Sequence, residues 1–417
     1  MNTKKKNWVA SLLMFLAILG PGIITGSVDN DAGGITAYSL AGAQYGYNML
    51  WTLVPAFIVL VVVQEMNARM GIVTKKGLAD LIRENFGVLI TFFIFLGLIV
   101  ADIGNTATEF AGVAGSMSVF GVSKYISVPL GAILVWFMVV KGTYKSSEKI
   151  FLIFSVFLLS YIVSALMANP DWHAIGNAMI RPKIQTDENY ISTVIGIVGT
   201  TIAPWMQFYM QSSVIEKGIK IEQYKYELWD VIIGCVITVV VAFFIIVACA
   251  ATLHVKGIPI NEAKDAAVAL KPLAGPFASE IFAFGLLVAS IFSATILPLA
   301  TAFYICEAFG FEAGIDKRLD EAPQFYILFT SIMIIGVGII LIPGAPLITI
   351  TFWTQVINGI LLPVVLLCMM LMVNNKEIMG EHVNGPIKNI IGWTTIIILI
   401  ILTAILTFEP IIKKLLG

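Results

Sequence analysis

Runs of about 20 residues without a single charge decide what this chain can fold into, because that length crosses the ~30 Å hydrocarbon core of a bilayer as an α-helix. Val231 to Ala250 is one such run, and others follow it along most of the 417 residues. With 59% hydrophobic and 12% charged residues and a mean hydropathy of +0.93, the chain holds about half the charge of an ordinary soluble domain. It reads as an all-α integral membrane protein with the lipid bilayer as its first partner. A membrane barrel would show short alternating segments instead. The 25 basic and 26 acidic residues leave a charge of −1, without the basic excess of a nucleic-acid binder.

Polar, Pro and Gly punctuation divides the apolar runs into eleven expected spans, at 11–44, 46–70, 88–118, 126–141, 149–168, 191–216, 227–252, 278–308, 325–345, 348–373 and 387–408. Lys4-Lys5-Lys6 before the first run resembles a signal peptide, but hydrophobicity continues past Gly20-Pro21-Gly22 with no cleavage site, so an uncleaved span is expected. With the N-terminus cytoplasmic, 17 of the 25 Lys and Arg residues fall in inner segments, as the positive-inside rule requires. Cys235, Cys249, Cys306 and Cys368 lie in or near apolar runs with no CxxC spacing and are expected to be buried thiols. His173, His254 and His382 are scattered in connections, which argues against a zinc or haem centre.

Two spans are unlike the rest. The first carries five glycines, one proline and two acids between Gly20 and Gly34, around Asp29-Asn30-Asp31. The sixth carries Gly196, Gly199, Thr200, Thr201 and Pro204. Glycine and proline weaken a helix, and unwound backbone survives in a membrane only where protein or a watery cavity satisfies it. Both spans are therefore expected to be broken. Breaks five spans apart suit an inverted five-plus-five repeat with an ion site between them. On that reading one transporter domain fills residues 1–417, with repeats at 1–168 and 191–373 and an extra eleventh helix at 387–408.

Asp31 leads the candidate site. A carboxylate and freed carbonyls are hard oxygen ligands suited to Mg²⁺, Ca²⁺ or Mn²⁺. A solvated turn formed by Asp29, Asn30 and Asp31 is the competing reading, although it would reverse the chain and spoil the topology. Thr200 and Thr201 in the sixth span offer hydroxyls, with helix packing an equal alternative, and Pro204 orphans a carbonyl. Asp102, Asn105 and Glu109 share one face of the third span and suit an ion or proton route, unless Glu109 merely faces solvent at the outer end. Gln355 and Asn358 precede Pro363 on one side of the tenth span, and Gln207 follows the break in the sixth. Glu227 and Asp230, at the start of the seventh, are expected at the interface.

With those residues in view, the chain resembles the Nramp (natural-resistance-associated macrophage protein) family of divalent-metal transporters over almost its whole length. The likeness rests on Gly20-Pro21-Gly22 through Gly42-Ala43-Gln44-Tyr45-Gly46-Tyr47, Ala68 to Thr74 with Leu78-Ala79, Asp102, Asn169-Pro170-Asp171-Trp172, Gly199 to Pro204, and Gln355 to Pro363. It implies a leucine-transporter-like fold and alternating access. It also implies a metal site made of an Asp and an Asn from the first break, with a carbonyl and a Met thioether from the sixth helix. By register these fall on Asp31, Gly34, Thr200 and Ala203, so the Asp is kept while the Asn and Met are lost. The family's helix-ten Gln falls on Leu361, its helix-three acidic pair on Asp102 and Asn105, and its helix-six histidine on Trp205.

Loss of a soft thioether at Ala203 removes a preference for transition metals and leaves room for water, which Mg²⁺ retains. The pattern therefore resembles the Nramp-related magnesium transporter branch, with Asp29 or Asn30 as substitutes for the missing ligand. The expected function is import of a divalent cation, Mg²⁺ or Mn²⁺, with weak or no proton coupling. The metal is cargo, and no cofactor is expected. An organic-solute symporter on the same fold and a non-transporting receptor are the alternatives. An enzyme is not expected, since phosphate-loop, nucleophile-elbow and zinc-protease motifs are lacking. A monomer in a bacterial inner membrane is the expected setting.

Overall fold

The computed structural model describes residues 21–141, 159–261, 263–314 and 317–416. Its described residues form helices and turns, with no strand among them. In chain order the main helices are α1 (Pro21–Val28), α2 (Ala32–Tyr45), α3 (Leu53–Thr74), α4 (Leu78–Val119), α5 (Lys124–Val140), α6 (Leu159–Met167), α7 (Trp172–Ile180), α8 (Glu188–Thr201), α9 (Pro204–Glu216), α10 (Tyr224–Cys249), α11 (Ala278–Phe309), α12 (Pro323–Leu341), α13 (Leu347–Val373) and α14 (Pro386–Leu416). Eight helical stretches among the described residues are long and apolar enough to cross a membrane, and α5 is apolar but shorter. The start of the expected first span, with Lys4, Lys5 and Lys6, and the first part of the expected fifth, with Lys145 and Lys149, lie outside the described residues.

Both expected breaks are present. Between α1 and α2 the backbone leaves the helix at Asp29 to Asp31, and Asp31 adopts an extended conformation (φ −76°, ψ −169°). Its Oδ1 accepts from the Gly34 amide at 2.8 Å, an N-cap that satisfies one orphan donor of α2 and contributes about 1 kcal/mol. Between α8 and α9, Ile202 and Ala203 leave the helix and Pro204 opens α9, where its missing N–H costs nothing. The two restarts differ: Asp31 caps α2 with its side chain, while Pro204 disfavours helical backbone at Ala203 before it and then opens α9.

Burial tells which spans are central. In its most apolar window the broken stretch Glu188–Glu216 is 94% buried, against 28% for Leu78–Val119 and for Pro386–Phe408. The exposed faces of those two carry Val88, Leu89, Phe93, Ile397 and Ile401, an apolar surface suited to acyl chains. The long helix α4 bends at Gly87, whose φ of 78° is non-helical, and the stretch after it corresponds to the expected third span. All four cysteines are free and buried, as expected.

Polar ties fasten the periphery. Glu65 on α3 bonds Arg69 Nε at 2.8 Å through Oε1 and Lys388 Nζ at 2.7 Å through Oε2. It also accepts from the Tyr224 hydroxyl at the start of α10, while Arg69 donates to the His382 carbonyl and to Asn384 Oδ1. This cluster pins α14 and the turn before it to α3 and α10. Arg69, counted from sequence among the connecting charges, is a buried member of it.

Candidate metal site

The two breaks meet around the first turn of α2. Asp31 is buried, 7% exposed. A Cβ on Gly34 would lie 2.5 Å from the Asp29 carbonyl oxygen and 3.4 Å from Thr200 Oγ1, so α2 and the end of α8 approach each other at this residue. Gly34, in register with the family's Asn, offers no side-chain ligand; its amide holds Asp31 in place. A Cβ on the neighbouring Gly33 would overlap the Gln355 amide and stand 3.0 Å from Asp31 Oδ1. The absence of side chains at Gly33 and Gly34 is what lets α8 and α13 close on the carboxylate.

From the far side comes α4. Glu109 is fully buried at 0% exposure, which removes the solvent-facing alternative, and its Oε2 lies 3.4 Å from the Ala32 amide. It faces Asp31 directly. Two oxygens around the break, Asp29 Oδ2 and Asn30 Oδ1, have no hydrogen-bond partner, and Glu109 has another carboxyl, that of Asp31, against it. Orphaned acceptors on buried acids and amides are costly, and a cation is the partner that would satisfy several at once. Among the described residues no three His, Cys, Asp or Glu side chains form a ready metal cluster, so neutral oxygens must complete any coordination shell here.

The α8 side supplies such oxygens. Pro204 has no N–H for the Thr200 carbonyl four residues earlier, which leaves that oxygen without its helical donor. The Thr201 hydroxyl is already engaged: it donates to the Ile197 carbonyl at 2.7 Å and pairs with Tyr38 Oη at 2.8 Å. Thr201 thus acts in packing. The Ala203 carbonyl accepts from the Gln207 side chain at 3.1 Å and the Met206 amide at 3.2 Å. Gln207 in turn accepts from Asn67 Nδ2 at 2.5 Å, tying α9 to α3 and leaving its amide nitrogen on the break.

A second chain of polar groups leads away from Gly33. Gln355 Oε1 accepts from Asn358 Nδ2 at 3.0 Å, and Asn358 Nδ2 also donates to Asn105 Oδ1 at 2.7 Å. Asn105 Nδ2 reaches Asp102 Oδ1 at 3.1 Å. Thr301 and Tyr304 on α11 each donate to Asp102 Oδ2 at 2.8 Å. The expected route residues are therefore one continuous network, except Glu109, which sits at the break, and Gln207, which braces it. Thr301 and Tyr304 were not singled out from sequence; two hydroxyls three residues apart on an apolar helix were the available signal. Leu361 instead packs toward Gly97 on α4.

A small void of about 10 Å³ lies between α1, α3, α9 and α10, lined by Thr25, Gln64 and Met206, room for about one water. A cavity of about 740 Å³ lies elsewhere, lined by Lys75, Asp80, Ser212, Glu307 and Lys317.

A helical membrane protein with two interrupted central helices closing on a buried carboxylate has a leucine-transporter-like fold. Residues 22–409 match the family described as natural resistance-associated macrophage protein-like, or Nramp, and the chain belongs to that family. The divalent metal cation transporter MntH of Yersinia pestis (strain Pestoides F) is similar at 27% identity over 408 residues, covering 94% of each chain. MntH of Yersinia pseudotuberculosis (serotype O:3, strain YPIII) is similar to the same degree, 27% over 408 residues and 94% of each. Among solved structures, the Eremococcus coleocola manganese transporter bound to an aromatic bis-isothiourea compound superposes with a TM-score of 0.75 at 20% identity, covering 93% of this chain and 85% of that one.

Proposed function

We propose that the chain imports a divalent cation, Mg²⁺ or Mn²⁺, by alternating access of the Asp31 site to the two sides of a cell membrane. The acids and orphaned oxygens around the first break are the observation that carries this reading: Asp31 accepts from the Gly34 amide, Glu109 faces it, and the buried Asp29 Oδ2 and Asn30 Oδ1 lack partners. The Thr200 carbonyl would add a ligand from the second break. All are hard oxygen donors, which suit a Mg²⁺ or Mn²⁺ ion that keeps part of its water shell. Relatives named as divalent metal cation transporters support the cargo class. Ala203 in place of a thioether supports a harder ion.

The rest of the reading follows the same lines. The repeats are assigned to 1–168 and 191–373, with α14 outside them, and the N-terminus to the cytoplasmic side of a bacterial inner membrane. The protein works as a monomer. Proton coupling is weak, because Trp205 replaces the family's histidine; Glu109 is the group through which any coupling would run. Flux into proteoliposomes tests the cargo class. Unlabelled Mg²⁺, Mn²⁺ and Cd²⁺ are expected to compete with ⁵⁴Mn²⁺ uptake, and amino acids and amines are expected not to. Competition by an organic solute with none by metals would overturn the reading.

A further inference from the structure

A cavity of about 370 Å³ lies where three apolar stretches end. Its lining includes Ile72 and Lys75 from the end of α3, Lys220, Ile221 and Glu222 from the connection into α10, and His382 from the turn before α14. The stretches Ala32–Thr74, Ile221–His254 and Pro386–Phe408 are apolar enough to cross a membrane. Lys75 directly follows the first, Lys220 directly precedes the second, and His382 stands four residues before the third. The three bases therefore belong where hydrocarbon gives way to headgroups, while Ile72 and Ile221 lie within the apolar stretches.

The elements that carry these bases are held in place. Lys75 Nζ donates to the Ile219 carbonyl at 2.6 Å, which uses one of its three N–H donors and leaves two. The Lys220 amide donates to Gln223 Oε1 at 3.0 Å, and the buried Arg69 donates to the His382 carbonyl. Neither lysine is in an ion pair among the described residues. Lys75 also ends α3 in the left-handed region, at a φ of 57°, where glycine is the usual residue. Glycine would hold this turn without strain; lysine adds a cation at the cavity.

We propose that this cavity binds the headgroup of an anionic phospholipid, with the phosphate on Lys75, Lys220 and His382 and the acyl chains against the apolar stretches. Basic pockets at the ends of membrane helices recognise lipid headgroups in this way. Glu222 sets the charge: two lysines and one glutamate, with His382 neutral, leave the lining a net +1. That balances the single negative charge of a phosphodiester. Phosphomonoesters carry about −1.5 to −2 at pH 7, an excess that Glu222 opposes. The bound lipid bridges α3, the start of α10 and the turn before α14, the elements already tied through Glu65 and Arg69. In the proposed orientation this is the inner leaflet, whose anionic lipids attract such bases. Only that placement rests on the transporter reading; the binding itself does not.

Native mass spectrometry of the full chain in neutral detergent, titrated with phosphatidylglycerol, tests this without any flux measurement. A retained lipid is expected at concentrations where phosphatidylcholine, whose choline cancels the phosphate charge, is not retained. Lys75→Gln with Lys220→Gln is expected to weaken retention at least about tenfold. Lys75→Arg with Lys220→Arg, which keeps the charge, is expected to preserve it and guards against a loss caused by misfolding. Lys225→Gln with Lys376→Gln removes two exposed lysines outside the lining and is expected to change nothing. Inorganic phosphate at millimolar concentration is expected not to displace the lipid. Undiminished retention after Lys75→Gln with Lys220→Gln, or an equal loss with the pair outside the lining, would overturn the site. Equal retention of phosphatidylcholine, or loss with the arginine pair, would overturn the charge account. Displacement by inorganic phosphate would make the ligand a free anion and overturn the lipid assignment.

Discussion

Around Glu65 each carboxylate oxygen has a cationic or hydroxyl partner from a different element; around Asp31, buried oxygens of Asp29 and Asn30 are left bare and Glu109 meets another acid. Both clusters are buried and both contain acids, so burial alone does not separate structure from function. Satisfaction does. The first cluster is complete without a ligand and serves to fasten α14. The second sets its acids against each other, and the proposed cation is what would complete it. A site that must release its cargo cannot carry its own permanent counter-charge.

Removing an acid should therefore have opposite consequences in the two places. Glu65→Ala strips partners from Arg69, Lys388 and Tyr224, and breaking a buried pair costs about 3 kcal/mol or more; unfolding in detergent should show that loss. If stability is unchanged, the cluster is not the fastening described. Glu109→Gln should lower Mn²⁺ flux about tenfold, equivalent to ~1.4 kcal/mol, with the melting temperature kept. A drop in stability with flux intact would place Glu109 in the structural class instead.

Smaller effects sharpen the contrast within the site. Ala203→Met introduces a soft thioether beside the Thr200 carbonyl and should raise Cd²⁺ uptake relative to Mg²⁺ several-fold, about 1 kcal/mol of discrimination. An unaltered ratio of the two ions would count against the register used here. Asp31→Asn should change folding stability by less than about 0.5 kcal/mol, since Asn caps a helix as well as Asp does. A large destabilisation would mean that Asp31 is held for architecture.

Much of this was legible in the sequence, for identifiable reasons. Long apolar runs mark spans because lipid leaves few alternatives, and both breaks showed because glycine, proline and acids are conspicuous against such runs. Asp31 stood out on the same ground. What sequence could not show was distance across the bundle. The partners of Asp102 on α11 lie about 200 residues away (199 and 202), and the Glu65–Lys388 pair joins opposite ends of the chain. Thr201 looked equivalent to Thr200 until Tyr38 was found on its hydroxyl. Glu227 read as interfacial because it opens a span, and only the packing of neighbouring elements buries it. The short helix α7 escaped notice because nine residues are too few to show a span.

Uptake of ⁵⁴Mn²⁺ by proteoliposomes containing Asp31→Ala, beside wild-type protein reconstituted at equal density, goes to the centre of the account. Background-level uptake by the variant is the predicted result. Transport at the wild-type rate would mean that the cation crosses without this carboxylate, and the assignment of the helix break as its binding site would be wrong.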